Sequence, residues 1–451
     1  MAYTVIADEL REAMAQDDVQ TMEQLVADMQ PADFAEFIQE HPVETSLKLL
    51  SCLPIKQRAE TFGYFSENDQ RELAEHMDES ALANLFIHMN SDERADLFNL
   101  LQDELKADLM RRLARNERED LRRLSSYEEG TAGSIMTSDY VAVPAQSTIA
   151  QAFEIVRSTA PDAETIYDIY SIDHMGRLMG ATSLRELILA RSTARLEAIM
   201  TTELISATVD TPQEEVARLI SRYDLLALPI IDNDARLVGI VTYDDAMDVA
   251  EQEATEDIHK GASVGRLDDG FGRARLRDLY RTRIVWLVLL VFGNLFSGMG
   301  IAFFEDTIAA HVALVFFLPL LIGSGGNAGA QASTLMVRGI ATGDVGVSDW
   351  ARLLGRELFV ALALGVTMAL AVSPIGFWRG GEDIAFVVGA SMISVVVLGS
   401  LIGICLPFIL NHIGWDPATA SAPLVTTLID ACGVIIYFSI AAAVLDLPSL
   451  F

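Results

Sequence analysis

Positive charge and cysteine are what this 451-residue chain has least of. It carries 32 Lys and Arg against 64 Asp and Glu, a formal net charge of −32. That balance argues against nucleic acid as a partner, and against an anionic lipid surface as a partner of the soluble part. Three cysteines, Cys52, Cys405 and Cys432, lie far apart with no CxxC between them. Neither a disulfide framework nor a thiolate zinc site fits that spacing. The seven histidines are dispersed too, without an HExxH. No paired acid and base, no Ser/His/Asp order and no nucleophile in a catalytic context occurs, so an enzyme is the weakest reading. The opening MAYTVIADELREAM lacks the basic-then-apolar order of a signal peptide, which predicts a cytoplasmic N-terminus.

What is present is apolar and unevenly spread. Hydrophobic residues make up 51% of the chain. Before Arg281 stand 26 basic and 54 acidic residues, a net of −28; from Arg281 onward there are 6 and 10, a net of −4. A soluble acidic half therefore precedes a membrane half. Apolar runs at about 284–304, 309–335, 358–378, 384–410 and 418–445 predict five spans, of which Cys405 and Cys432 are small apolar members. Six arginines, Arg266, Arg273, Arg275, Arg277, Arg281 and Arg283, precede the first span and predict a basic amphipathic helix at the cytoplasmic interface. Arg338, Arg352 and Arg356 follow the second span, whereas Glu305 and Asp306 follow the first. This bias puts the N-terminus inside and the C-terminus outside.

Two spans are unusual. The second ends in GSGGNAGAQAST (323–334), whose glycines and amides predict close helix packing, a break lined by polar groups, or both. A phosphate loop does not fit, because no Gly-Lys-Ser/Thr follows. The fifth is led in by Trp415-Asp416-Pro417 and carries one acid, Asp430, near its middle, with Ser421, Pro423, Thr426 and Thr427 ahead of it. A carboxylate at membrane depth costs several kcal/mol on insertion scales, roughly 2.5–3.5, and by default marks a polar pathway.

The soluble half divides further. Residues 1–130 alternate short helical patterns with polar or proline joints, and LPIKQRAETFGYF, MDESALANLFIHM and MNSDERADLFNLL look related. Stacked short helices of this kind predict an all-α superhelical domain. Next comes a duplication in which GSIMT at 133–137 is echoed by EAIMT at 197–201. Each copy continues with a strand, an amphipathic helix and a β pair; in the second, Leu228–Asp232 and Leu237–Thr242 flank an Asp232-Asn233-Asp234 turn. This pair resembles tandem CBS domains over about Thr131 to Val249. Many CBS pairs bind adenine nucleotides through G-x-x-T-x-x-D, which Gly239, Thr242 and Asp245 match; Gly180, Ser183 and Glu186 match it only approximately. The resemblance thus implies ATP as a possible cofactor. After it, YDDAMDVAEQEATED (243–257) sets like charges on one helix face. Those charges repel unless cations stand nearby, and such oxygen ligands suit hard divalent ions.

Taken together, the acidic helical domain, the CBS pair, the basic connection, GGNAG in the second span and DPA…P…T…D in the fifth resemble the MgtE family of bacterial magnesium channels and transporters. The likeness covers the whole chain. It implies a superhelical domain at 1–130, CBS domains at 131–195 and 196–253, a connecting plug helix at 254–283 and five membrane helices at 284–451. It also implies a homodimer in the bacterial inner membrane, with Mg²⁺ as both transported and regulatory ion. By the same resemblance Asp430, Thr426, Ala422 and Asn327 belong to the pore, although relatives often carry an amide where Ala422 stands. Asp416, Asp224, Glu214, Asp245, Asp248, Glu253, Glu256 and Asp257 would sense cytosolic Mg²⁺ and close the pore. Two other readings stay open: a broader divalent carrier for Co²⁺, Ni²⁺ or Mn²⁺, and a CBS-regulated membrane sensor without transport.

Overall fold

The computed structural model describes residues 2–267, 271–272, 274–346 and 349–445. Arg273 of the basic connection and the tail 446–451 lie outside the described residues. The chain forms two units, Met1–Gln252 and Glu253–Phe451.

The first unit opens with short helices: α1 (Ala2–Gln16), α2 (Val19–Ala27), α3 (Pro31–Gln39), α4 (Val43–Ser51) and α5 (Ile55–Gly63). They continue with α6 (Glu67–His76), α7 (Glu79–Ile87), α8 (Ser91–Leu100), α9 (Asp103–Arg112) and α10 (Arg115–Leu124). Proline sets several joints: Pro31 is the first residue of α3, and Pro42 and Pro54 cap α4 and α5. At such positions the missing N–H costs nothing and the fixed φ suits helix entry. From α3 on, each helix packs against the second one after it: α3 on α5, α4 on α6, and so on to α8 on α10. Phe34, Phe37, Ile38, Leu50, Phe62, Leu85, Phe86 and Leu97 fill the seam. None of these helices could bury such a stripe alone.

The duplication folds as two like sheets. The first holds β1 (Ala142–Pro144), α11 (Ile149–Thr159), β2 (Asp168–Ile172), β3 (Leu178–Ser183) and α12 (Leu184–Leu189). The second holds β4 (Ala207–Thr208), α13 (Gln213–Tyr223), β5 (Ala227–Ile231), β6 (Leu237–Thr242) and α14 (Tyr243–Gly261). In each sheet the first strand pairs parallel with the second, and the second antiparallel with the third. The copies interlock. Thr137, in the lead-in of the first, bridges Ile240 in the second, and Thr201 bridges Ala181 in return. Glycine makes room both times: a Cβ on Gly239 would lie 2.5 Å from Met136 Sδ, and one on Gly180 would lie 2.7 Å from the Thr201 carbonyl.

Helix α14 runs through the acidic stretch 243–257 and on to Gly261. The connection is correspondingly different from one amphipathic helix over 254–283. After α14 the chain leaves helical geometry at Ala262, and Arg277, Arg281 and Arg283 belong to the first turns of the next helix, α15 (Leu276–Phe303).

The second unit continues with α16 (Glu305–Ala310), α17 (Ala313–Ala341), α18 (Trp350–His412), a 3₁₀ turn at Pro417–Thr419 and α19 (Ala422–Val444). Among the described residues, α15, α17, α18 and α19 are long and apolar enough to cross a membrane. The 63-residue α18 is interrupted at Gly381, whose φ of 83° and ψ of −168° only glycine adopts readily. Its two arms cover the predicted third and fourth spans, with that single residue as their connection.

No break occurs at GGNAG. Helix α17 runs straight through it, so of the two expectations only close packing holds. A Cβ on Gly399 of α18 would lie 2.4 Å from the Gly325 carbonyl oxygen, and one on Gly403 would lie 2.2 Å from that of Gly329. Two glycine pairs, four residues apart on each helix, thus bring backbones into direct contact, the usual means of helix association in lipid. We expect Gly403→Val to cost about 1–3 kcal/mol in detergent thermal unfolding. Gly298→Ala, which meets nothing within 4 Å, should leave the curve unchanged; equal stability of the two variants would refute the contact.

Candidate ion pathway and acidic clusters

The pathway residues lie along α19. Ser421 is its N-cap, its hydroxyl accepting from the Leu424 N–H, and Pro423 sits in the first turn. Asp416 begins the lead-in and accepts from the Ala418 N–H at 2.8 Å. The lead-in forms a 3₁₀ turn at Pro417–Thr419, and the helix itself starts at Ala422 rather than at the 418 predicted for the span. Val425, Ile429, Val434, Tyr437 and Phe438 form the buried face, and the Tyr437 hydroxyl donates to the Leu314 carbonyl at 3.0 Å. Asp430 is half-buried, and no ion pair to it occurs among the described residues. Its backbone carbonyl accepts from Ser297 of α15 at 3.4 Å. Around it α15 presents glycine: Gly293 lies over Thr427 and Gly300 over Val434. Gly326 of α17 lies over Thr426, one turn before Asp430. Ala422 occupies the first helical position with only a methyl group to offer, and Asn327 lies on the exposed face of α17.

A second cluster surrounds Asp416. Lys260, near the end of α14, donates to its carboxylate at 2.5 Å and also pairs with Glu256 one turn back. Ser263, at φ 55°, hydrogen-bonds Ser421 hydroxyl to hydroxyl at 2.6 Å, both side chains buried. Asp257 is held above the usual carboxylate range by burial first, then by Asp416 and Glu253; Lys260 and Arg338 oppose the shift. Four of the acids singled out in the sequence, Glu253, Glu256, Asp257 and Asp416, therefore belong to this cluster.

A third cluster lies inside the first unit. Asp245 caps the turn from β6 into α14, and the Thr242 hydroxyl donates to it. Burial first, then Asp244 and Asp248, push Asp245 up to about 6. Facing it are acids that the sequence did not mark: Asp92 and Glu93 at the start of α8, and Glu164 before β2. Burial raises all three, Glu93 to about 8 and Glu164 to about 7, and the charge of Asp245 adds to each shift. Asp92 rises well above its ordinary value from burial, then Asp245. Packing forces this. Ser91 donates its N–H to Asp139 at 3.1 Å and shares a 2.9 Å hydroxyl contact with Thr137, pinning α8 to the lead-in of the first repeat. Asn90 holds one oxygen of Glu164 at 3.1 Å. Asp92 Oδ1 and Glu164 Oε2 are buried with no partner. Orphaned buried carboxylate oxygens are costly, and a cation satisfies them. Among the described residues no group of three or more His, Cys, Asp or Glu is placed to hold a metal ion.

The remaining sensor residues stay apart. Glu214 and Asp224 stand exposed at opposite ends of α13, about 15 Å apart along the axis. Asp248 is raised by burial, then by Glu251 and Asp244, on the outer face of α14. Of the nucleotide pattern, Gly239 is occupied in admitting Met136, while Thr242 and Asp245 bond to each other.

The raised acids give a pH dependence. A group whose folded value exceeds its unfolded one stabilises most below the unfolded value, and that contribution is lost as pH rises through the folded value. In chelator, intrinsic-rate-corrected amide protection over 91–100 should therefore fall between pH 5.5 and 8.5. Asp92→Asn should flatten the change; protection independent of pH in the unsubstituted protein would contradict the cluster.

Comparison with known proteins meets this geometry. The MgtE family model, described as a divalent cation transporter, matches residues 318–440; the MgtE intracellular N domain matches 29–130 and a CBS domain matches 196–251. The chain is similar to the magnesium transporter MgtE of Thermus thermophilus, 37% identical over 444 residues, 98% of this chain and 99% of the relative. It is 39% identical to that of Bacillus subtilis over 71% of each chain. Among solved structures, the cytosolic domain of the Mg²⁺ channel MgtE in complex with ATP matches 54% of this chain and 99% of its own length, with TM-score 0.52 and 36% identity. The soluble part of a magnesium transporter matches 56% of this chain, with TM-score 0.52 and 31% identity. With a relative aligned almost end to end above a third identity, this chain belongs to the MgtE family.

Proposed function

We propose that the chain conducts Mg²⁺ across the bacterial inner membrane and is closed by the same ion from the cytosol. The observation that carries this reading is Asp430, a carboxylate inside an apolar helix with no ion-pair partner among the described residues, in a chain whose relatives are named magnesium transporters. Two copies would bring two such carboxylates to one axis, where they attract a hydrated divalent ion without stripping its waters. Support for a homodimer comes from α15, which has no buried residue within the chain. Counting the arms of α18 separately gives five crossings, with the N-terminus inside and the C-terminus outside. The sequence domains at 1–130, 131–195, 196–253, 254–283 and 284–451 supply the frame for this reading. Asn327, which shares α17 with the glycine face, would line the entrance.

The gate follows from charge. Without cations, Asp92, Glu93, Glu164 and Asp245 repel one another out of water; cations relieve that repulsion and favour the packed state. An ion shifts an equilibrium only by binding one state better, and this cluster gives Mg²⁺ that preference. Asp248, Glu214 and Asp224 would add outer sites. Oxygen-only ligands at Asp430 and Thr426 suit a hard ion such as Mg²⁺ better than Co²⁺ or Ni²⁺, while Mn²⁺ shares the preference for oxygen. The ATP complex of a similar cytosolic domain supports a nucleotide at the CBS pair, where Gly239, Thr242 and Asp245 would meet it once the Thr242–Asp245 bond opens. In proteoliposomes, Asp430→Ala should abolish Mg²⁺ uptake. Asp92→Asn/Asp245→Asn should leave uptake running at millimolar internal Mg²⁺. Retained selective flux in the first variant removes the pore assignment, and normal inhibition in the second removes the sensor.

A further inference from the structure

The cluster at Asp416 already contains a cation, and it belongs to the chain. Lys260 reaches Asp416 and Glu256 together, with each of the three side chains about one-third exposed. It is the only lysine after Lys106. An ammonium is a compact point charge, so a small hydrated ion can take its place, whereas a guanidinium is a broad planar fork. The opposing acids are Glu256, Asp257, Glu253 and Asp416, with Arg338 the further cation acting on Asp257.

The contacts beside this bridge give it leverage. Three residues after Lys260, Ser263 meets Ser421, whose hydroxyl also caps α19. Ser263 sits in the left-handed region, which serine adopts at a cost, and the Val264 N–H returns to the His259 carbonyl at 2.8 Å. Next, the Gly265 N–H donates to the Thr282 carbonyl of α15 at 2.9 Å. The exit of α14 is thus tied to the lead-in and cap of α19 and to the first turns of α15.

We propose that Lys260 is a built-in counter-cation that docks the exit of α14 onto the start of the pathway helix without any divalent ion, and that a divalent ion competes with it for Asp416. The inference rests on the proposed closure by cytosolic Mg²⁺, and it adds to that reading a contact between the exit of α14 and the start of α19 that needs no magnesium. Neutralising Lys260 leaves Glu256 and Asp416 facing each other uncompensated. Docking then becomes dependent on an added cation. Lys260→Arg keeps the charge and keeps the docking.

The test uses the full-length protein with Cys52, Cys405 and Cys432 replaced by alanine and one reporter, Ser263→Cys, at a position buried when docked. Maleimide labelling in EDTA is expected to be slow with Lys260 present. It should be about fivefold faster in Lys260→Gln, the scale of one partly exposed ion pair. Mg²⁺ should restore slow labelling in Lys260→Gln, and Lys260→Arg should label slowly in EDTA. Equal rates in EDTA with and without Lys260 overturn the proposal, as does fast labelling that Mg²⁺ fails to suppress. Amide exchange over 259–266 in the Ser263 protein gives the same comparison without the reporter. If Lys260→Gln labels slowly in EDTA while internal Mg²⁺ still inhibits uptake, the counter-cation fails and the gate stands. Faster labelling with uptake untouched by internal Mg²⁺ keeps the counter-cation and removes the gate.

Discussion

Carboxylates held out of water by packing that is otherwise favourable are the constraint on which this molecule turns. Hydrophobic seams between short helices, and hydroxyl contacts such as Ser91 with Thr137, pull α8 onto the CBS pair. The same closure places Asp92, Glu93, Glu164 and Asp245 within reach of one another's charge. Neither tendency can be satisfied alone. The folded unit carries a conflict that protons or cations relieve, and a protein with twice as many acids as bases has no internal surplus of cations to relieve it. The divalent-ion sensitivity proposed above would then be a property of the fold rather than of an added binding module.

The membrane half answers a different requirement, that of fixing one helix. Helix α19 is held by α15, α17 and α18, and glycines of α15 and α17 stand where a Cβ would run into its side chains. Gly293 and Gly300 serve α15, and Gly325, Gly326 and Gly329 serve α17. Lipid offers no hydrophobic driving force between helices, so close packing and shared polar contacts must supply the precision. Asp430 is thus carried on a helix whose packing against α15 and α17 runs through these glycines.

Much of this was legible in the sequence because local chemistry and global fold agree. The echo of GSIMT in EAIMT announced the duplication. The turn at Asp232 is real: its side chain accepts from the Asp234 and Arg236 N–H groups at 2.9 and 2.8 Å. Proline positions gave the joints of the superhelix, and Asp430 stood out because an acid in an apolar run has no ordinary explanation. Asp92, Glu93 and Glu164 were not legible. An Asp-Glu pair in the first turn of a helix is what the helix dipole favours anywhere, so nothing local set it apart. Only the long-range closure of α8 on the CBS pair gave those residues a second meaning. GGNAG left two outcomes open because glycine serves both a broken helix and a tightly packed one, and the facing Gly399 and Gly403 decide between them. The length of α14 was missed because its like charges argue against a long helix, whereas Lys260 supports its end.

The crossed lead-ins of the CBS pair reach beyond packing. Each repeat completes its sheet with a segment borrowed from the other: Thr137 lies against Ile240, and Thr201 against Ala181. The two repeats are therefore not beads on a string, and neither has a finished edge of its own. The repeats are joined to each other through backbone hydrogen bonds rather than through loose side-chain contact alone. Helix α8 bears on this joined module where α14 begins, since Asp92 and Glu93 face Asp245, so whatever moves α8 meets both repeats at once.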